Sequence, residues 1–242
     1  MDCQPGPLWQ VYGVARSLIH RLFPATCWLC LEPGQAPALD LCRGCEEDLP
    51  RNRRACPLCA RPQPDRAARC PGCGAGAPRG FDCAFVPYRY EFPLVELIHG
   101  LKYGGQIATA RILGSVLGRR LAERGRPAVD AIVPVPLFAR REARRGFNQA
   151  QEIAVFASAP LRLPVLTQLA HRVRDTAPQA QLPAAERRDN LKDAFVLRSV
   201  PPPRVAIVDD VLTTGATAES LARVLRAGGC RRIEVWAVAR AG

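Results

Sequence analysis

The chain has 242 residues, 48% of them hydrophobic and 23% charged, which is the composition of an ordinary globular protein. This length allows one medium-sized domain and a small one, and no apolar run approaches the ~20 residues that cross a membrane. The formal net charge of +12 is compatible with a nucleic-acid or phosphate-rich partner but does not select one. The N-terminus lacks the basic start and apolar core of a secretory signal, so we expect a cytoplasmic protein.

The first segment of the chain, residues 1–25, has the apolar spacing of a short helix. Such a helix would either dock on the main body of the protein or contact another protein. The sequence does not decide between these two roles.

Residues 26–80 contain few large apolar side chains, so a metal must stabilise the fold of this segment. Eight of the 11 cysteines form four Cys-x-x-Cys pairs, namely Cys27/Cys30, Cys42/Cys45, Cys56/Cys59 and Cys70/Cys73. In a reducing compartment this spacing favours metal over disulfides, and two pairs supply the four thiolates of one tetrahedral zinc site. The sequence thus predicts two structural zinc ions, which with eight thiolates would lower the net charge to about +8.

The pairing of the cysteines around the two metals has two solutions. We expect consecutive pairs to share an ion, which gives a double zinc ribbon with the ligand sets Cys27, Cys30, Cys42, Cys45 and Cys56, Cys59, Cys70, Cys73. In the alternative, cross-braced arrangement the first and third pairs share a metal. Zinc ribbons bind nucleic acids and proteins alike, so they do not identify a partner.

Residues 81–242 alternate predicted strands and helices, as is typical of an α/β domain with a parallel sheet. A strand at 81–90 is followed by helices at 93–103 and 107–124 and by a buried strand at 129–136. Further strands are predicted at 165–169, 194–196, 205–208 and 232–238. Lys102 ends the first of these helices beside two glycines, where it either contacts a phosphate or lies exposed.

An arginine-rich segment follows the strand at 129–136 and leads into a helix near residues 146–149. Ligands of open α/β sheets bind at the carboxyl ends of the strands, and guanidinium groups bind phosphate oxygens in pairs. We therefore predict an anion site here, with Arg144 and Arg145 as candidate pyrophosphate ligands. The alternative is a solvated run of charges.

A polar stretch of about twenty residues separates the strands at 165–169 and 194–196, and stretches of this kind in compact domains often form lids. Candidate contacts of such a lid with an anionic substrate are Arg172, Thr176, Gln179 and Arg188. None of the three histidines is well placed to act as a general base, and His171, at the start of this stretch, is the one to test.

The most informative stretch is residues 204–229, where a buried strand ends in Asp209 and Asp210. A short loop then opens a helix, and backbone N–H groups and hydroxyls at such a helix N-terminus bind phosphate. The predicted phosphate-binding residues are Thr213, Thr214, Gly215, Ala216 and Thr217. The carboxylates above them would accept hydrogen bonds from sugar hydroxyls. A capped crossover helix without a ligand is the alternative.

The string Asp-Asp-x-x-Thr-Thr-Gly-x-Thr closely resembles the signature of phosphoribosyltransferases, which bind 5-phosphoribosyl-1-pyrophosphate (PRPP). Together with the paired cysteines, VPVPL, RRGFNQA and TAPQAQL, in this order, it resembles the ComF family, which includes the GntX-type proteins. Members are bacterial phosphoribosyltransferase-like proteins associated with natural competence. The resemblance covers nearly the whole chain from Cys27 onward.

The resemblance implies a type I phosphoribosyltransferase fold, a parallel sheet with flanking helices that follows a small double zinc-ribbon domain. It implies that Asp209 and Asp210 hold the ribose of PRPP, that residues 213–217 hold the 5′-phosphate, and that the loop after Pro136 holds pyrophosphate with Mg²⁺. It also implies contact with incoming single-stranded DNA and with DNA-uptake proteins. It supplies no acceptor substrate.

Three hypotheses follow. In the first, the protein is an enzyme that displaces pyrophosphate from C1 of PRPP with an unknown acceptor. In the second, it is a non-catalytic zinc-ribbon adaptor for DNA or protein in DNA uptake, and the transferase fold only binds a nucleotide. In the third, it salvages ordinary nucleobases, which leaves the zinc ribbons without a role.

Overall fold

The computed structural model describes residues 24–35, 39–64, 69–74, 79–174 and 194–242. The backbone contacts divide the chain into two compact units, residues 1–49 and residues 50–242. The predicted helix at residues 1–25 lies almost wholly outside the described residues, and the domain boundaries at residues 25 and 80 stay a prediction. In the part of the chain that the structure describes, no helix has the length and apolarity needed to span a membrane.

The first unit is organised around one Cys-x-x-Cys turn and one short helix, α1 (Arg43–Glu47). The turn closes with a hydrogen bond from Leu31 N to the Cys27 carbonyl oxygen at 2.9 Å, and Leu31 has a φ of 66°. Cys42 caps α1 by accepting a hydrogen bond from Cys45 N. The backbone thus holds both cysteine pairs by local hydrogen bonds.

The second unit consists of a parallel sheet, its helices and a small hairpin. The helices are α2 (Pro71–Gly74), α3 (Leu94–Tyr103), α4 (Ile107–Ala122), α5 (Ala139–Arg145), α6 (Gln149–Ser158) and α7 (Ala216–Ala227), with a 3₁₀ turn at Ala159–Leu161. The strands are β1 (Cys83–Phe85), β2 (Tyr88–Arg89), β3 (Ala131–Pro134), β4 (Ala170–Arg172), β5 (Phe195–Leu197), β6 (Arg204–Leu212) and β7 (Arg232–Arg240).

The large sheet has the strand order β1–β7–β6–β3, and β2 also pairs with β7. Each of these described pairings is parallel. Since parallel strands end at the same edge, the carboxyl ends of β3 and β6 lie side by side. This architecture confirms the predicted α/β fold class with flanking helices.

Alternate residues of the buried central strands point to opposite sides of the sheet. Both faces are therefore apolar, and helices cover both of them. Leu221 and Leu225 of α7 share one hydrophobic cluster with Val205 and Ile207 of β6. Elsewhere α4 packs closely against α6, since a Cβ at Gly114 would lie 2.6 Å from the Ile153 carbonyl oxygen. Close helix contact therefore depends on the missing side chain at Gly114.

The predicted strand at residues 165–169 is wrong in extent. Only Val165 bridges to β3, through hydrogen bonds from Ile132 N to Pro164 O and from Leu166 N to Ile132 O. The next donor along this edge would be residue 134, a proline without an N–H group, so the pairing stops. The chain instead forms β4 from Ala170, which pairs antiparallel with β5.

We expect Gly114→Ala to lower the free energy of unfolding by about 1–3 kcal/mol, because the added methyl group has no room at the α4–α6 contact. The higher helix propensity of alanine offsets part of this loss, about 1 kcal/mol. Urea unfolding would measure the difference, with Ala108→Ser at an exposed position of the same helix as the control. A Gly114→Ala protein as stable as the wild type would contradict the close contact.

Candidate functional site

Two carboxylates stand where the central strand β6 reaches the carboxyl edge of the sheet. Asp209 Oδ1 accepts a hydrogen bond from Asp210 N at 2.9 Å, and Asp210 Oδ1 accepts one from Val211 N at 2.6 Å. Asp210 is only 8% exposed. These backbone bonds fix one oxygen of each carboxylate and leave the other oxygen for a partner.

Lys102 supplies that partner for Asp210, since its Nζ lies 2.9 Å from Asp210 Oδ2. The lysine reaches the site from the last turn of α3. The sequence left a phosphate contact or an exposed position open for Lys102, and neither alternative predicts this ion pair. The two residues are distant in the chain, so only the fold brings them together.

The two carboxylates have different surroundings. Burial, followed by the neighbouring charge of Asp210, raises the pKa of Asp209 to about 7, against the effect of Lys102. Burial alone would lower the pKa of Lys102, but the Asp210 carboxylate outweighs it and raises that pKa. Asp210 is thus held in an ion pair, while Asp209 titrates near neutral pH.

The carboxylates open into a cavity of about 220 Å³, which we term the carboxylate cavity. Its lining comprises Lys102, Tyr103, Val135, Pro136, Leu137, Arg141, Arg145, Asn148, Gln149, Ala150, Arg172, Asp209, Asp210 and Thr217. Four of these side chains are cations and two are carboxylates. A ligand that combines phosphate groups with hydroxyls would match both kinds of group.

Two side chains at the start of α6 shape the wall of the carboxylate cavity. Asn148 caps the helix by accepting from Ala150 N, and its amide donates to the Val135 carbonyl oxygen at 3.1 Å. Gln149 accepts a hydrogen bond from Arg145, but its buried Nε2 has no hydrogen-bond partner within the described residues. A buried donor without a partner on a cavity wall is typical of a ligand site.

The predicted phosphate loop begins directly after β6. Gly215 has a φ of 84°, which favours glycine, and α7 begins at Ala216, so Ala216 and Thr217 belong to the helix. Ala216 N donates to Thr214 Oγ1 at 3.3 Å, and Thr217 lines the carboxylate cavity. The phosphate role of residues 213–217 stays a prediction.

The predicted pyrophosphate arginines differ in the cavities that they line. Arg145 lines the carboxylate cavity, whereas Arg144 lines only a neighbouring cavity of about 440 Å³, to which Arg145 also contributes. Arg141, which was not selected from the sequence, also lines the carboxylate cavity. All three belong to α5, a short helix in a segment that the sequence interpretation treated as a loop.

Of the predicted lid contacts, Arg172 on β4 lines the carboxylate cavity, and its guanidinium lies 5.6 Å from the ring centre of Phe195. Thr176, Gln179 and Arg188 lie outside the described residues. His171 is not part of the lining of this cavity. A role for His171 as a base stays a hypothesis to test.

The eight paired cysteines form two clusters of consecutive pairs, Cys27, Cys30, Cys42, Cys45 and Cys56, Cys59, Cys70, Cys73. Within each cluster the sulfur atoms lie within 4.8 Å of one another, with Cys59 Sγ and Cys70 Sγ 3.5 Å apart. Tetrahedral zinc with Zn–S bonds of about 2.3 Å separates its sulfurs by about 3.8 Å, so the donor sets fit zinc. The cross-braced alternative is not observed.

Backbone N–H groups favour the thiolate form of one cysteine in each cluster, Cys27 and Cys56, whereas burial raises the pKa of Cys59. Burial raises the pKa of Cys56, but hydrogen bonds from the backbone of Cys70, Cys59 and Leu58 lower it to about 6. Cys27 is similar, since backbone hydrogen bonds outweigh burial and lower its pKa to about 7. Thiolates are the form in which cysteine binds metals.

The second cluster is tied to the end of β6 by Arg240, the last residue of β7. Arg240 is 3% exposed, and its Nε donates to the Cys59 carbonyl oxygen at 3.1 Å. Its Nη1 donates to the Leu212 carbonyl oxygen at 2.9 Å, immediately before the predicted phosphate loop. One buried guanidinium thus connects the cysteine cluster to the start of the predicted phosphate loop.

Arg79 makes a second connection between the same two parts. Its guanidinium hydrogen-bonds the Cys73 thiol and lies 5.7 Å from the centre of the Phe81 ring. A Cβ at Gly215 would lie 3.2 Å from Arg79 Nη1, so this side chain borders the loop. Neither Arg79 nor Arg240 was selected from the sequence, since no local pattern distinguishes them from the other arginines.

Known proteins resemble this chain over most of its length. The Double zinc ribbon domain family matches residues 18–74. Competence protein F of Haemophilus influenzae is 35% identical over 209 residues, which cover 83% of this chain and 90% of that protein. The DNA utilization protein YhgH of Escherichia coli is 34% identical over 224 residues, which cover 90% and 97% of the two chains.

The chain belongs to the ComF family. Competence protein ComFC of Bacillus subtilis is 26% identical over 195 residues, which cover 78% of this ComF-family chain and 79% of ComFC. The double zinc ribbon match and the two sulfur clusters together support two zinc sites, each with four cysteine ligands. The solved structure of TT1426 from Thermus thermophilus is 17% identical to this chain. The match covers 53% of this chain and 72% of TT1426, and its TM-score of 0.33 is too low to inform the fold.

We expect purified protein to contain about two zinc ions per chain. Cys56→Ser/Cys59→Ser should lower this number to about one and accelerate amide hydrogen exchange in residues 212–217, because Arg240 joins Cys59 to Leu212. Zinc analysis and exchange mass spectrometry would measure both effects.

The matched control for this experiment is Cys27→Ser/Cys30→Ser, which removes the first cluster in the other compact unit. It should lower zinc equally and leave exchange in residues 212–217 unchanged. Equal effects of the two double variants on the loop would rule out the connection through Arg240.

Proposed function

We propose that this protein binds PRPP in the carboxylate cavity and acts as a phosphoribosyltransferase-like protein of the cytoplasm in DNA uptake. The observation that carries the proposal is the pair Asp209 and Asp210 near the carboxyl end of β6, on the lining of one cavity that also includes Lys102, Arg145 and Arg172. The carboxylates suit the two ribose hydroxyls. The cations suit the phosphate groups.

The ligand would lie along the carboxyl edge of the sheet. Its 5′-phosphate would approach the N-terminus of α7, where Thr217 lines the cavity. Its pyrophosphate would lie toward α5, where Arg141 and Arg145 face the same space. Arg144 was predicted to contact pyrophosphate, but its place on the neighbouring cavity makes Arg145 the better candidate.

Transfer from PRPP breaks the bond between C1 and the pyrophosphate oxygen, and positive charge develops on the ribose ring. The carboxylates Asp209 and Asp210 would hold the ring through its hydroxyls, and Arg145 would stabilise the departing pyrophosphate. Mg²⁺ bound with the ligand would neutralise part of the phosphate charge. The acceptor atom is outside this proposal.

A role in DNA uptake is supported by the relatives, which include Competence protein F and a DNA utilization protein. The adaptor hypothesis remains a second candidate, because the chain has two zinc ribbon sites in addition to the carboxylate cavity. In that case the protein binds PRPP or a nucleotide without releasing pyrophosphate. Single-stranded DNA and DNA-uptake proteins are the partners we propose.

Calorimetry with PRPP and Mg²⁺ tests the ligand. Wild-type protein should bind, and Asp209→Asn/Asp210→Asn should weaken binding by about 10²- to 10⁴-fold, because the two lost charge-assisted hydrogen bonds contribute about 1.5–3 kcal/mol each. The control is Asp130→Asn, the same chemical change at a residue that directly precedes β3, where Asp130 pairs with Arg204 at the start of β6. No binding by wild-type protein would refute the proposal.

The pH dependence of binding tests the role of Asp209 separately. Its pKa of about 7 means that the carboxyl becomes protonated below neutral pH and then accepts hydrogen bonds less well. PRPP affinity should therefore fall as pH decreases from about 8 to about 6. The phosphate groups of PRPP also titrate in this range, and they do so whether PRPP binds the wild type or Asp209→Asn. The affinity of Asp209→Asn for PRPP should therefore depend on pH less steeply than that of the wild type. Equal pH profiles would contradict this role.

A further inference from the structure

A second cavity adjoins the carboxylate cavity and differs from it in chemistry. We term it the tyrosine cavity. It measures about 440 Å³ and is lined by Leu101, Lys102, Tyr103, Gly104, Gly105, Arg144, Arg145 and Phe147. The lining contains three cations, two aromatic rings and no carboxylate, whereas the carboxylate cavity contains two carboxylates. The tyrosine cavity therefore favours an anionic ligand, and the ligand does not have to be held through its sugar hydroxyls.

Two of the three cations of the tyrosine cavity are available to such a ligand. Within the described residues, no carboxylate forms an ion pair with Arg144 or Arg145. Arg145 donates to Gln149, a neutral side chain, and Arg144 lies in the last turn of α5. Lys102, in contrast, is already paired with Asp210. The strongest unneutralised charge of the cavity thus comes from Arg144 and Arg145.

Tyr103 offers an aromatic surface beside these cations. It is 77% exposed, similar to Phe92 at 76%. The ring nonetheless has a supported position, since His99 contacts it edge-to-face with the ring centres 5.9 Å apart. His99 is held in turn by a hydrogen bond of 3.0 Å between its Nε2 and the Tyr90 hydroxyl.

Two glycines beside Tyr103 leave its ring uncovered. Gly104 and Gly105 follow Tyr103 and place no side chain over the cavity, and Gly105 has a φ of 62°. An exposed, supported ring next to guanidinium groups is the combination on which nucleic-acid-binding proteins stack bases and hold phosphates. A free nucleobase would leave the arginines unused, and inorganic phosphate would leave the ring unused.

We infer that the tyrosine cavity binds a nucleotide, with its base stacked on Tyr103 and its phosphate held by Arg144 and Arg145. The nucleotide is either free or the end of a single strand, since both present the same chemical unit. The inference extends the proposed function, on which it rests for the identity of the neighbouring ligand. It places a phosphorylated nucleotide, not a free base, beside the PRPP site.

Calorimetry with 2′-deoxyadenosine 5′-monophosphate, deoxyadenosine and inorganic phosphate tests the inference on full-length, zinc-loaded protein. The monophosphate should bind at least tenfold more tightly than either fragment, because only it engages both the ring and the arginines. A parallel titration with a 5′-phosphorylated trinucleotide distinguishes the two sources. If the natural ligand is a strand end, the trinucleotide should bind more tightly than the monophosphate. If it is a free nucleotide, the two should bind equally well.

Two variants assign the contacts. Tyr103→Ala should weaken monophosphate binding about tenfold or more, whereas Tyr103→Phe should retain it. Arg144→Gln should weaken it about tenfold and bring the affinity near that of deoxyadenosine. The matched controls are Phe92→Ala, which removes another exposed ring (76% exposed) outside the cavity lining, and Arg140→Gln on the same helix as Arg144. Both controls should bind like the wild type.

Each result bears on one proposal. Absence of monophosphate binding, or equal losses in the two controls, would overturn the nucleotide site. PRPP binding by the wild type, measured in the same series, is a separate result that does not depend on monophosphate binding. Nucleotide binding without PRPP binding would remove the proposed function and keep the tyrosine cavity, and the reverse result would do the opposite.

Discussion

The buried guanidinium of Arg240 is the interaction that joins the second cysteine cluster to the end of β6, and the surroundings of both depend on it. Burial lowers the pKa of Arg240, which shows that its surroundings oppose the charge. The carbonyl oxygens of Cys59, Leu212 and Ala241 compensate by accepting its hydrogen bonds. A single side chain thereby fixes the second cysteine cluster, the end of β6 and the C-terminus.

This connection joins the second cysteine cluster to the sheet within the compact unit of residues 50–242. Ala60, directly after Cys59, belongs to the same hydrophobic cluster as Phe81 and Leu212. Asn52 donates from its side chain to the Ala60 and Val86 carbonyl oxygens, at 2.9 and 3.1 Å. Metal binding in this ribbon therefore stabilises backbone that packs against the end of β6.

The two ribbons nevertheless share one local design. In each, the residue after the second cysteine of the first pair has a positive φ, 66° at Leu31 and 55° at Ala60. Its N–H donates to the carbonyl of the first cysteine, at 2.9 Å in the first ribbon and 2.8 Å in the second. The repeat explains why the spacing of the cysteines was sufficient to predict both clusters, because the turn that presents the sulfurs is local.

What the sequence could not predict are contacts between distant residues. The buried run before Asp209 and Asp210 predicted a central strand with carboxylates at its end, since strand burial and helix capping leave local patterns. Lys102, Arg141 and Arg240 are cationic residues among many, and their roles depend on which elements meet at the sheet edge. The same limit applies to Arg144 and Arg145, which are adjacent in sequence, although only Arg145 lines the carboxylate cavity.

The prolines at the rims of the sheet affect how the protein behaves among copies of itself. β3 is four residues long and ends in Pro134, while Pro87 separates the short strands β1 and β2 at the other rim. Neither rim presents an unbroken row of N–H donors, because proline has none. An added strand from another molecule would find few hydrogen bonds there, so this sheet resists edge-to-edge aggregation.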